Sequence, residues 1–213
     1  MSQFPGLTRR ATLAGALALP LAARAASEPL VTLLGDSITA GYGLPASQAL
    51  PAQLERELRA LGVAARVRAA GVSGDTTAGG LRRVESVRPD TDLCVVALGG
   101  NDLLSLEEPA RVRSNLEAIV GRLKARKVKV VLAGLQAPPE LGPYARAFNA
   151  VFPNVARAQA VLLHPSLLAG VMLDRRYNQS DLIHPNAAGV QIIARRLART
   201  VAAALNTGTA SAR

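Results

Sequence analysis

Along this chain, short apolar runs alternate with longer stretches in which apolar residues return every three or four positions. Leu30–Leu34 is a compact apolar run closed by Gly35, and Leu93–Leu98 is another, closed by Gly99-Gly100. Val128–Ala133 is a third, rich in β-branched residues and closed by Gly134. Runs of this length bounded by glycine predict buried strands. Ala65–Ala69 alternates weakly and Val161–Leu163 is shorter still; both are predicted as further strands. Between the runs, Ser47–Leu61 carries Leu50, Leu54, Leu58 and Leu61 at helical spacing, with Glu55, Arg56 and Arg59 outside. Pro109–Ala125 opens on a proline suited to a first helical turn and keeps Val112, Leu116, Ile119, Val120 and Leu123 on one face. Thr77–Val87 reads as a helix stopped by Pro89, Gly142–Ala160 as a helix broken at Pro153, and Ala187–Leu205 as a closing amphipathic helix.

Strand–helix alternation with buried strands implies a parallel sheet covered on both faces. The expected fold is α/β: a three-layer α/β/α, flavodoxin-like domain with a parallel sheet of roughly five strands. The length of 213 residues suits one domain with a full core. A hydrophobic content of 49% and a mean hydropathy of +0.21 exclude disorder. One cysteine excludes a disulfide framework, and two histidines beside it argue against a zinc site.

The ends read differently from the middle. Arg9-Arg10 stands directly before an apolar run from Ala11 to Ala23, and Ala23-Arg24-Ala25 offers the small-x-small pattern of a cleavage site. Residues 1–25 are therefore expected to be an export signal peptide, too short and too weakly apolar for a permanent span. The arginine pair resembles a twin-arginine signal, while an ordinary Sec signal carries its basic region in the same place; both routes stay open. The domain is expected over 26–205, a flexible tail over 206–213, and the location is periplasmic or secreted. Losing Arg9, Arg10 and Arg24 leaves 22 basic side chains against 15 acidic ones, net +7. Such a charge raises nucleic acid as a partner. Aromatics at 3% are too few for base-stacking platforms, and the arginines are spread from Arg56 to Arg199. The charge is expected to be a solvated surface: no nucleic acid, and at most transient contact with a membrane surface.

In a doubly wound sheet the ligand sits beyond the carboxyl ends of the strands, so chemistry is sought there. Gly35-Asp36-Ser37-Ile38-Thr39 follows the first strand and Gly71-Val72-Ser73-Gly74-Asp75-Thr76 the second. Gly99-Gly100-Asn101-Asp102 follows the third, and Asp181-Leu182-Ile183-His184-Pro185 stands near the C-terminus. Together they supply a nucleophile, a base, an orienting carboxylate and oxyanion donors, the parts of an acyl-transfer site. Each alone has a plain structural reading. Ser37 caps a helix; Gly71 and Gly74 serve turns; Asn101 and Asp102 satisfy a local turn; Asp181 caps the last helix with His184 on the surface. What carries the chemical reading is their order at successive strand ends.

Those four blocks resemble the SGNH (GDSL-type) hydrolases, and in particular their exported bacterial arylesterase, acyl-CoA thioesterase and lysophospholipase branch. The likeness extends through Gly71–Leu81, Ala137-Pro138-Pro139, Gly142-Pro143-Tyr144 and Phe148-Asn149, and covers about Leu30 to Leu205. It implies Ser37 as nucleophile, His184 as general base and later general acid, and Asp181 as the residue that fixes the imidazole tautomer. It implies an oxyanion hole from the backbone N–H groups of Ser37 and Gly74 and the Asn101 side chain, with no cofactor and no metal. The implied substrates are carboxylic esters and thioesters: aryl esters, lysophospholipids and acyl thioesters. A monomer or small homo-oligomer is expected. Three departures from the family pattern are Ile38 in place of Leu, Ala69 where Asn is frequent, and Leu182 where Gly is common. An apolar groove near Leu135–Phe148, with Pro138, Pro139, Leu141 and Tyr144, favours acyl chains over the alternative of a carbohydrate O-acetyl esterase. A non-catalytic lipid- or envelope-binding protein is a further alternative, opposed by the presence of Ser37, Asp181 and His184.

Other motifs carry less. Gly41-Tyr42-Gly43-Leu44-Pro45-Ala46 fits a dinucleotide-loop pattern, but begins six residues past the first strand, and no acidic residue ends the second. His164-Pro165 mimics the His184 block without an aspartate three residues before it and is expected to be structural. Cys94 is expected as a buried small hydrophobe, and Asp75 and Asp102 as loop-fixing residues.

Overall fold

The computed structural model describes residues 28–207, so the predicted export signal and all of the predicted tail beyond Thr207 lie outside the described residues. Five strands, β1 (Leu30–Gly35), β2 (Arg66–Gly71), β3 (Leu93–Ala97), β4 (Lys129–Ala133) and β5 (Leu162–His164), form one parallel sheet in the order β2-β1-β3-β4-β5. The flavodoxin-like expectation is met. β1 and β3 are buried throughout and β4 nearly so, as their uninterrupted apolar runs require. β2 departs from the expectation of buried strands: it is an edge strand whose Arg66 and Arg68 face solvent.

Among the described residues seven helices flank the sheet: α1 (Ser37–Ala40), α2 (Leu50–Ala60), α3 (Thr77–Arg82), α4 (Gly100–Leu104), α5 (Pro109–Ala125), α6 (Gly142–Gln159) and α7 (Ala187–Asn206). α2 packs with α7, while α5 packs with both α3 and α6. The predicted helix over Thr77–Val87 is shorter than expected, because Arg83 leaves the helical conformation and a separate 3₁₀ turn follows at Val84–Ser86. The predicted break at Pro153 does not occur: α6 runs through it. A proline inside a helix costs about 3 kcal/mol. Phe148, Val151, Phe152 and Val155 are buried on both sides of Pro153 and hold the two halves in line.

Cys94 lies within β3, fully buried, and burial pushes its thiol up to about 12. His164 ends β5 with Nδ1 3.0 Å from Thr200 Oγ1 and its Nε2 buried without a partner, a structural residue as expected.

The strand order reverses at β1, whose neighbours β2 and β3 lie on opposite sides, and in such sheets the ligand crevice opens at that reversal. Gly35 stands level with Gly71 on one side and Ala97 on the other, so three of the predicted blocks leave the sheet at one rim.

Candidate active site

β1 turns into α1 within one residue. Asp36 caps the turn, its carboxylate accepting the Ile38 N–H at 3.0 Å, and Gly41 closes it in a left-handed conformation. This single turn lies directly on the strand ends. A Cβ at Gly35 would strike the Ala97 carbonyl and Thr39, and one at Gly71 would strike the Ala40 amide and Thr39. The two glycines thus let Ser37 sit almost on the sheet, 8% exposed. The helix-cap reading of Ser37 does not hold, since Asp36 is the cap.

His184 arrives from the segment between β5 and α7. A bridge between Asn178 and Pro185, with Gln179 N–H donating to the His184 carbonyl at 2.8 Å, folds that segment back on itself. Within the fold, Asp181 Oδ1 accepts the N–H groups of Ile183 (2.9 Å) and His184 (3.0 Å). Its Oδ2 lies 2.6 Å from His184 Nδ1, and His184 Nε2 lies 2.9 Å from Ser37 Oγ. Asp181 does not cap α7; Asn186 does, accepting the Gly189 N–H at 3.0 Å. The backbone and side chain of His184, with the Ile183 amide, hold the Asp181 carboxyl down at about 2. An ionised carboxylate can only accept, so His184 Nδ1 carries a proton, and in the neutral imidazole that leaves the Nε2 lone pair to face the Ser37 hydroxyl. The Tyr42 ring lies 4.3 Å from the His184 ring, and Gln179 Nε2 donates to the Tyr42 carbonyl at 2.9 Å. The loop that mimics a dinucleotide motif is therefore packed against the His184 loop.

The other predicted donors come from β2 and β3. Gly74 has φ +81°, a left-handed backbone that favours glycine, in the loop between β2 and α3. Asn101, in the first turn of α4, donates from Nδ2 to the Asp75 carbonyl at 2.8 Å, which ties it to the residue after Gly74 and leaves its second amide N–H. Asp75 and Asp102 fix these loops as expected: Asp102 accepts from Thr77 N–H (2.8 Å) and Thr77 Oγ1 (2.6 Å). Asp75 pairs with Arg83, which the sequence reading did not single out. Arg83 donates to Asp75 Oδ2 at 2.5 Å, to the Ala70 carbonyl at 2.6 Å and to the Gly35 carbonyl at 2.6 Å. One guanidinium thus joins β1, β2 and the Gly74 loop just behind Ser37. No local sequence signal marks it among 22 arginines.

Beside Ser37 and His184 opens a cleft of about 440 Å³, a size typical of small-molecule sites. Leu103 and Leu104 line it from α4, Leu135 and Pro138 from the loop after β4, and Leu168 and Met172 from the segment after β5. The predicted groove is only partly right. Leu135, Pro138 and Leu141 do line the cleft, whereas Phe148 is core and Tyr144 stacks on it at 5.9 Å, donating from its hydroxyl to the Glu107 carbonyl. Asn149 holds the loop, accepting the Ala137 N–H at 2.6 Å. The missed walls come from Leu103-Leu104 and from Leu168–Leu173, apolar residues outside any strand or long helix. Among the described residues no group of three or more His, Cys, Asp or Glu is placed to hold a metal ion.

Asp36 is 5% exposed, and burial pushes its carboxyl up to about 6 against the lowering effect of the Ile38 amide. The folded protein then binds a proton more tightly than the unfolded chain, whose carboxyl titrates near 3.8. Between those values the native state holds more protons, so stability is lost as pH rises through the window. Asp36→Asn keeps the acceptor for Ile38 and removes this effect. Its stability relative to wild type is expected to grow by about 2–3 kcal/mol from pH 4 to pH 8. Urea unfolding at the two pH values measures this, and a constant difference would count against it.

Comparison with known proteins decides the family. The GDSL-like lipase/acylhydrolase family matches residues 33–192, which span all four blocks. The chain belongs to that family. It is accordingly an enzyme that hydrolyses ester bonds. Over 183 residues it is 39% identical to esterase TesA of Pseudomonas aeruginosa, covering 84% of this chain and 91% of that protein. Thioesterase 1/protease 1/lysophospholipase L1 of Escherichia coli strain K12 is 33% identical over 186 residues, 86% and 88% of the two chains. Among solved structures, a TesA crystal structure superposes with a TM-score of 0.77 at 36% identity, covering 82% of this chain and 99% of that one. AlinE4, an esterase of the SGNH-hydrolase family, gives a TM-score of 0.70 at 41% identity, over 84% and 98%. The SGNH resemblance and the fold expected from it are thus established for this GDSL-family chain.

Proposed function

We propose that this family member is an exported serine esterase that cleaves esters and thioesters of apolar acyl chains through Ser37, His184 and Asp181. The observation that carries the reading is the continuous chain of hydrogen bonds from Asp181 through His184 to Ser37, at the side of an apolar cleft. Ser37 Oγ attacks the substrate carbonyl while His184 Nε2 takes its proton, and the new oxyanion is held by the N–H groups of Ser37 and Gly74 and the free N–H of Asn101. Collapse expels the alcohol or thiol, which takes the proton back from His184. Water, deprotonated by the same Nε2, then releases the acid and restores Ser37. Each aimed oxyanion donor is worth about 10²–10³ in rate.

Aryl esters, lysophospholipids and acyl thioesters all fit an apolar cleft beside this relay, and the names of the relatives support that range. Residues 1–25 serve as the export signal in this reading, 26–205 as the hydrolase domain, and the enzyme works in the periplasm or outside the cell without a cofactor.

The test is the dependence of rate on acyl length, measured as kcat/KM on p-nitrophenyl esters from acetyl to palmitoyl. Burying a methylene is worth about 0.8 kcal/mol. Even with much of that lost to ordering the chain, kcat/KM is expected to rise on the order of 10²-fold from acetyl to a medium chain. A profile confined to acetate would move the reading to a carbohydrate O-acetyl esterase. No turnover on any of these esters would overturn the acyl-chain reading.

A further inference from the structure

An oxyanion donor contributes fully only if it is aimed before the charge develops, and a misplacement of about 1 Å costs on the order of 10² in rate. The Gly74 N–H belongs to a segment poorly suited to hold an aim. Val72, Ser73 and Gly74 are exposed in succession, and a Cβ at Gly74 would meet no atom within 4 Å among the described residues. Packing does not fix this tip, and exposed loop tips without packing are mobile. Its hold comes from Asp75. The Asp75 N–H donates to the Val72 carbonyl at 3.1 Å, and the Asp75 carbonyl accepts the Asn101 amide at 2.8 Å. The Asp75 carboxylate runs beneath the first turn of α3, where a Cβ at Gly79 would strike it, and ends on Arg83.

Arg83 in turn is fixed to the sheet. The Gly35 carbonyl, two residues before Ser37, and the Ala70 carbonyl on the neighbouring strand each accept from its guanidinium at 2.6 Å. The Gly35 carbonyl also accepts the Val72 N–H at 3.1 Å, at the place where β1 and β2 part. One planar cation therefore spans the strand that delivers Ser37 and the loop that delivers Gly74. The pair is well shielded, with the Arg83 side chain 20% exposed and that of Asp75 11%. A guanidinium fork meets three acceptors at once, which a lysine ammonium on its flexible stem does not reproduce. Arg83 does not line the cleft, so it acts through the loop and not on substrate. We propose that Arg83 is a positioning residue for the oxyanion hole: through Asp75 it sets the place and aim of the Gly74 N–H relative to the Ser37 N–H. The proposal rests on the serine-esterase reading above, since the two N–H groups matter together only if an oxyanion forms between them.

The test compares Arg83→Ala, Arg83→Lys and Asp75→Asn with wild type and Ser37→Ala. It reads kcat and KM on p-nitrophenyl octanoate, Tm, and the Ki of an alkyl trifluoromethyl ketone. Ser37 Oγ bonds to the ketone carbon, its proton passes to His184 Nε2, and the carbonyl oxygen becomes an oxyanion in the hole, as in the transition state. Arg83→Ala is expected to lower kcat by about 10²-fold, to raise Ki by a similar factor and to leave KM within about 2-fold. Arg83→Lys keeps the charge and loses the span, and Asp75→Asn weakens the same contact from the other end. Each is expected to lower kcat and raise Ki by about 10-fold, with Tm within a few degrees of wild type. Arg83→Lys therefore carries the test even if Arg83→Ala does not fold. Wild-type kcat and Ki in Arg83→Lys or in Asp75→Asn overturn the proposal. Losses in kcat with Ki unchanged overturn it as well, because a role confined to folding lowers the amount of active enzyme without weakening the hold on an oxyanion. Either result leaves the esterase reading standing, whereas wild type without Ser37-dependent turnover removes both.

Discussion

Ser37→Ala is expected to lower kcat/KM on a medium-chain aryl ester by roughly 10⁶-fold while leaving Tm within a few degrees of wild type. Among the described residues, the oxygen removed is the one hydroxyl hydrogen-bonded to His184 Nε2, at 2.9 Å. The fold does not depend on it. Asp36, not Ser37, caps α1, and α1 is pinned to the strand ends through Thr39, whose hydroxyl donates to the Asp36 carbonyl at 2.9 Å. His184→Ala is expected to cost about as much, and the double variant little more than either, because groups that act as a unit lose their effect once. Steady-state rates of the three variants, with thermal unfolding as the check on folding, test this. Independent, additive losses would show that the two side chains do not work together.

Asp181→Asn has the second largest expected effect, about 10⁴-fold in kcat. The substitution preserves the shape of the turn, since an amide oxygen still accepts the N–H groups of Ile183 and His184. What changes is the partner of His184 Nδ1. An amide nitrogen placed 2.6 Å from it donates rather than accepts, so Nδ1 loses its proton to Nε2, and Nε2 then faces Ser37 with a hydrogen instead of a lone pair. The base is present in the wrong tautomer. Because its hydrogen bonds hold Asp181 at about 2, the wild-type carboxylate is ionised throughout the neutral and mildly acidic range, and a loss of rate in that range is not its titration. A loss in Asp181→Asn below about 10-fold would mean that the carboxylate does not set the tautomer.

How much of this could be read from residues alone differs by element. β1, β3, β4 and α5 are legible because an interior element declares itself by composition: both faces of a buried strand are apolar, and α5 turns one apolar stripe inward. β2 and α6 are less so. An edge strand relaxes its pattern, and the proline in α6 is overridden by packing that no local window contains. The blocks around Ser37, Gly74, Asn101 and His184 are legible as an ordered set at strand ends. That His184 reaches Ser37 across 147 positions is not, since it depends on the fold of the 178–185 turn. Arg83 was invisible for the same reason: its role lies in three distant carbonyl and carboxylate oxygens, not in its neighbours. Leu182 is the opposite case. It departs from the glycine common at that place in the family, and only its left-handed backbone, φ 61°, gives that departure a physical meaning.

In the proposed mechanism Ser37 Oγ is the atom that takes the acyl group. Reaction with a fluorophosphonate, which transfers a phosphonyl group to an activated serine oxygen and releases fluoride, tests it directly by mass spectrometry. One adduct per chain is expected, on the peptide containing Ser37, forming with loss of esterase activity and failing to form in His184→Ala. An adduct on another residue, or full inhibition with Ser37 unmodified, would contradict it.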